Sequence, residues 1–235
     1  LAMQWPTMPI KLQQLADWPQ RSAGMFLVFV ALVVGLRLWA YDSNLLLATA
    51  KLLGPRAVAG ARALNDTIQA SAGASDDAMV RAANQFFNQR VAFVDDTVVW
   101  GQDDYWATPL ETLNKGSGDC EDYAIAKYLM LQAMGVRADK LRLVYARARL
   151  DGAGGRGVPH MVLAYYPTAG AEPLILDNLI PELRPASARP DLTPVFSFNT
   201  ESLWQAAGAE RVAADPLARL SRWRDVLAKS RVEGF

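Results

Sequence analysis

Apolar and polar positions alternate along this chain with two different periods, and the switch between them divides it. Residues 56–70 and 76–90 repeat apolar side chains at helical spacing, separated by "SAGAS". Ser75 is placed to cap the second helix, with Asp76 and Asp77 suited to its positive end. Thr108-Pro109 opens a further short helix. Residues 120–134 then place Ala124, Ile125, Tyr128, Leu129, Leu131 and Met134 at helical intervals before Gly135 ends the run.

Beyond Gly135 the period falls to two. "KLRLVYARARL" alternates, with Leu141, Leu143 and Tyr145 on one side and Arg142, Val144 and Ala146 on the other. A glycine-rich turn, "DGAGGRG", leads to a second strand, "VPHMVLAYYP", and "AGAEP" leads to a third, "LILDNL". Strands joined by short turns predict an antiparallel meander packed on the preceding helix, an α+β layout. Residues 215–230 predict a closing helix, with Pro216 in its first turn and Leu217, Leu220, Trp223 and Leu227 on one face.

The amino end follows neither pattern. Residues 22–36 carry no charge and follow Lys11 and Arg21, the layout of an export signal or anchor. With Leu38 to Tyr41 included, the apolar stretch approaches spanning length. The expected organisation is residues 1–41 as basic flank and apolar signal or anchor, 42–55 as linker, and 56–235 as the folded domain.

Composition narrows the chemistry. The 235 residues have a formal net charge of zero and no basic block, so nucleic acid is a poor partner. One Cys and one His exclude an internal disulfide and the usual zinc ligand sets. A lone cysteine is most often a small buried hydrophobe. Cys120, however, falls in the first turn of a predicted helix, where free N–H groups stabilise a thiolate. Asp119 stands at the N-cap position, Asp122 is placed as the reciprocal acid, and Gly116-Ser117-Gly118 gives the backbone room for a substrate. Any imidazole base must be His160, at the start of the second strand. Asp177 ends the third, and antiparallel pairing brings it beside His160. Together these residues form a Cys-His-Asp constellation for acyl transfer through a thiol.

"DYWATPLETLNKGSGDCEDYAIAKYLMLQAMGV", "LRLVYARA", "HMVLAYY", "LILDNL" and "DLTPVFSFN" resemble the bacterial transglutaminase-like cysteine proteinases over residues 86–205. The resemblance implies a papain-like, transglutaminase-like core with Cys120, His160 and Asp177 as its triad. It also implies a periplasmic endopeptidase cutting near the amino end of a large secreted adhesin, next to paired alanines, and thereby controlling biofilm attachment. The implied inhibitor is the periplasmic domain of an inner-membrane cyclic-di-GMP receptor. The backbone N–H of Cys120 is the expected oxyanion donor, with Gln102, Tyr105 and Trp106 as candidates for a second. A transglutaminase-type acyltransferase and a non-catalytic adhesin-binding module are the alternatives.

The acids beside the thiol have two readings. Asp119 and Glu121 repel a thiolate, and Ca²⁺, an oxygen-seeking cation, would neutralise them with help from Asp122 or an acid of 103–104. The resemblance implies calcium dependence as well. Otherwise the same acids serve as helix caps and dipole partners.

Overall fold

The computed structural model describes residues 41–149, 157–206, 208, 211–212 and 215–235. The apolar segment expected to direct export or anchoring lies outside the described residues. Among the described residues no helix is long and apolar enough to cross a membrane.

The helical half comes first. Helices α1 (Ser43–Leu53), α2 (Pro55–Ala70) and α3 (Asp76–Arg90) lead to a short strand, β1 (Ala92–Phe93), and one turn of helix, α4 (Asp96–Val99). Then come α5 (Pro109–Lys115), the two-residue β2 (Ser117–Gly118) and α6 (Cys120–Ala133). Local chemistry sets these boundaries. Ser75 accepts from the N–H of Ala78 at the start of α3. Thr108 and Glu111 form a reciprocal capping box on α5. Gly116, left-handed at φ 65°, closes α5.

Residues 42–55, expected as a linker, hold helix α1 over Ser43–Leu53 instead. Asp42 caps α1 through the N–H groups of Asn44 and Leu45, and Leu46 and Ala50 are buried in the core. Gly54 and Pro55 break the chain between two helices, and that break reads from sequence as a linker.

Strands β3 (Leu141–Ala148), β4 (Val158–Tyr165), β5 (Leu174–Leu176), β6 (Arg184–Pro185), β7 (Leu192–Phe198), β8 (Leu203–Gln205) and β9 (Arg211–Val212) form one sheet in the order β6-β5-β4-β3-β7-β8-β9. Every pairing in it is antiparallel, as the meander requires. The chain closes with α7 (Pro216–Arg219) and α8 (Ser221–Val232). The single closing helix expected over 215–230 is thus two, because Leu220 adopts φ −110° and ψ 87°.

Helix α6 is the hub. Residues 122–131 are all buried, enclosed by α2, α3, α5, β3 and β4. Leu141, Leu143, Met161 and Leu163 of the sheet join Ile125, Tyr128 and Leu129 in the main core. The opposite sheet face gathers Val144, Val162, Ala164, Tyr166 and Ile175 in a smaller cluster, so both faces of β3 and β4 are covered. This fixes the start of α6 against the start of β4, where the chemistry-bearing residues lie.

Candidate active site

Cys120 is the first residue of α6, half-buried at the wall of a cleft of about 370 Å³. The cleft is bounded by β1 (Phe93), the loop carrying Asp104 and Trp106, the helix start (Asp119 to Glu121), and the sheet residues Tyr145, Pro159, His160 and Met161. Cys120 and His160 therefore border the same space, from a helix end and a strand start.

The register of β4 and β5 explains how Asp177 arrives. Leu163 pairs with Leu176 and Tyr165 with Leu174; the ladder then ends, and Asp177 turns towards the earlier part of β4. His160 Nε2 and Asp177 Oδ1 are 2.8 Å apart, and both side chains are buried. Arg189 donates to the other carboxylate oxygen at 2.7 Å, and the N–H of Leu179 donates to Oδ1 at 3.1 Å. Burial alone would raise the Asp177 carboxyl, but the contacts from His160 and Arg189 hold it down to about 2. Its main-chain carbonyl is gripped from behind by Asn88 of α3 at 2.8 Å and Lys127 of α6 at 3.1 Å. Lys127 is fully buried, and that burial lowers its ammonium to about 7.

The surroundings of the thiol are anionic. Cys120 Sγ lies 3.0 Å from Glu121 Oε2, a short contact in which the protonated thiol donates to the carboxylate. Burial, then Glu121 and Asp119, push the thiol well above its usual range, and the N–H of Met161 opposes them. Burial and repulsion from Glu121 raise the Asp119 carboxyl to about 9. Burial also raises Glu121, Asp122 and Asp96.

These acids form one cluster. Asp96, Asp119 and Asp122 each bring a carboxylate oxygen within 4.8 Å of the others, and Asp96, Asp104 and Glu121 do the same. Asp96 Oδ1, Asp119 Oδ1 and Asp122 Oδ2 are buried without a hydrogen-bond partner among the described residues. An all-oxygen donor set with three orphaned oxygens fits a hard divalent cation.

Capping accounts for little of this. Asp119 occupies the N-cap position of α6 but its side chain makes no capping hydrogen bond; Asp122 accepts from the N–H of Ala107 at 2.8 Å, and the N–H of Asp119 also steadies its carboxylate, the reciprocal half of a cap. Nor do the glycines before Cys120 leave open room. A Cβ at Gly116 would strike the Arg56 guanidinium at 1.7 Å, and one at Gly118 would meet Asp122 Oδ2 at 2.5 Å. Of the residues considered as second oxyanion donors, Trp106 borders the cleft but its indole N–H is committed to Asp104 at 2.9 Å. Tyr105 donates to Glu111, and Gln102 lies exposed outside the cleft lining.

Asp96, Asn88, Lys127 and Arg189 carried no readable signal in the sequence. Their roles depend on contacts across 8 to 89 residues of chain, which no local pattern encodes.

The sequence model of the bacterial transglutaminase-like cysteine proteinases matches residues 60–191. Among solved structures, LapG of Legionella pneumophila is similar at 35% identity, covering 81% of this chain and 98% of that one with a TM-score of 0.68. Its calcium-bound form gives 35% identity over 80% and 99% with a TM-score of 0.69, and its EGTA-treated form 35% over 81% and 98%, also at 0.69. No curated protein sequence matches the chain. By family model and by structure alike, this chain belongs to the bacterial transglutaminase-like cysteine proteinases.

Proposed function

We propose that the protein is a calcium-dependent periplasmic endopeptidase that cuts the amino-terminal region of a large cell-surface adhesin and so controls biofilm attachment. The observation that supports the chemistry best is the 2.8 Å His160–Asp177 pair on the cleft that also holds the only cysteine. Asp177 engages Nε2 of the imidazole, so Nδ1 is the nitrogen left to take a proton from the thiol.

In this reading Cys120 Sγ attacks the scissile carbonyl carbon while His160 accepts the thiol proton. The C–N bond breaks as His160 returns that proton to the leaving amine, giving a thioester and one free fragment. Water, deprotonated by His160, then attacks the thioester and releases the second fragment with the thiol restored. The backbone N–H of Cys120, at the start of a 14-residue helix, stabilises the oxyanion. Asp177 keeps the imidazole oriented and supports its cationic form.

Asp119, Glu121 and Asp122, with Asp96 and Asp104 beside them, would hold the calcium ion. A bound cation would supply the positive charge that offsets these acids and the repulsion they exert on the thiolate. The calcium-bound form of the Legionella relative supports this assignment. By the same likeness, the periplasmic domain of an inner-membrane cyclic-di-GMP receptor is the inhibitor; the uncharged apolar run after Lys11 and Arg21 supports export or anchoring through residues 22–41.

Mass analysis of an adhesin amino-terminal fragment after incubation tests the reading. Two fragments are expected, and iodoacetamide, which has one thiol to modify, should abolish them. An isopeptide crosslink would make the protein an acyltransferase. An intact substrate that stays bound would make it a binding module.

A further inference from the structure

Strand β1 has one edge paired and one edge open. Ala92 and Val94 donate their N–H groups to the carbonyls of Gly116 and Gly118, on either side of the parallel register with β2. Backbone groups alternate in direction along an extended strand, so the N–H and C=O of Phe93, between those two donors, point away from β2. Neither has a hydrogen-bond partner among the described residues. Phe93 is 54% exposed and borders the cleft that contains Cys120 and His160. The strand it leans on, β2, runs directly into Asp119 and Cys120.

An open edge of this kind is a template for another extended chain. We propose that Phe93 docks the substrate main chain as a third, antiparallel strand, one substrate residue exchanging both hydrogen bonds with the Phe93 N–H and C=O. This rests on the endopeptidase reading and adds the means of holding the peptide. Such docking is largely indifferent to side chains and demands an extended segment, so cleavage is confined to unfolded or linker stretches of the substrate. It also lays the substrate along the cleft wall where Phe93 and Cys120 border the same space.

The test uses an internally quenched peptide with paired alanines at its centre. Phe93→Ala removes the ring and keeps the backbone. Phe93→Pro also removes the N–H, at a position where proline breaks no bond within the protein. Net hydrogen-bond strengths imply that KM for Phe93→Pro exceeds that for Phe93→Ala by about tenfold with kcat little changed. A scan in which each substrate amide is replaced by an ester should find one sensitive position, with kcat/KM reduced about tenfold in the unmodified enzyme. The scan needs no variant and is immune to misfolding. Equal KM values for the two folded variants, or an ester scan without a sensitive position, would overturn the docking edge. Failure of the unmodified enzyme to cut any such peptide would overturn the endopeptidase reading instead. The edge is then judged by peptide affinity for the Cys120→Ala protein, which must weaken when Phe93→Pro is added.

Discussion

Arg189 shows how much of this candidate site is decided one contact away from the His160–Asp177 pair. Its guanidinium bridges Asp177 at 2.7 Å and Asp191 at 2.8 Å while almost wholly buried. Arg189→Met would strip one oxygen of a buried carboxylate, raise the Asp177 carboxyl from about 2, and weaken its hold on the imidazole. Turnover should fall about tenfold or more, against about a thousandfold for Asp177→Asn, which removes the charge itself. Equal losses in comparably folded variants would show that Asp177 acts only through shape. Lys127 gives a second test, read in stability. Its folded pKa is about 7, below the ordinary 10.5, so between those values the unfolded chain binds more protons and stability rises with pH. Urea midpoints at pH 7 and pH 9 should therefore diverge between the wild type and Lys127→Met, the wild type gaining on the variant as pH rises. Parallel pH profiles would mean that Lys127 stays charged. Cys120, His160 and Asp177 stand out in the sequence as candidates because a single thiol, a single imidazole and a strand-end acid are scarce types, and the structure brings His160 to Asp177 and to the cleft of Cys120. Arg189 and Lys127 had no such mark among 24 basic residues.

At the scale of elements, the pieces that announce themselves are those whose signals are local. The caps of α3 and α5 and the alternation of β3 all rest on neighbours within four residues. Helix α1 has its own local cap in Asp42 but is hidden by the Gly54-Pro55 break, which reads as a linker, and the break at Leu220 leaves the apolar spacing of 215–230 intact, so the pattern mislabelled both. The same distinction applies to the cleft loop. Lys229 of α8 reaches Tyr105 at 3.0 Å, the carbonyl of Trp106 at 3.1 Å and Glu111 at 2.8 Å, while Arg222 holds Asp104 at 3.2 Å. Helix α8 thus pins a wall of the active cleft, and Trp106 stacks on Phe198 at 6.0 Å beneath it. Lys229→Met should loosen that wall. Part of the ion pair is exposed, so the stability loss should be small, about 1 kcal/mol or less. KM should rise a few-fold, because the loop shapes the substrate cleft without touching the thiol. A fall in kcat at unchanged KM would place the effect elsewhere.

For the whole molecule the decisive quantity is the charge gathered where α6, α4 and the cleft loop meet. Without a cation, Asp119 keeps its proton up to about pH 9 against 3.8 when unfolded. Asp122, Glu121 and Asp96 shift in the same direction. A carboxyl raised in the folded state binds more protons there than in the unfolded chain, so the metal-free fold loses stability as pH rises across that window. Bound calcium would remove the cause, since ionised carboxylates would then be the favoured form. Calcium should therefore stabilise the protein, and do so more at pH 8 than at pH 5. At a hundredfold excess over its dissociation constant the gain is about 2.7 kcal/mol, or roughly 5–10 °C in Tm for a domain of this size. Thermal melts in EGTA and in calcium at the two pH values measure this, with magnesium as the control that needs a tighter six-coordinate shell. Asp96→Asn and Glu121→Ala should each shrink the calcium-induced shift, including in protein alkylated at Cys120, where activity plays no part. A shift of the same size at both pH values would separate the acids from the ion and return them to the role of helix neighbours.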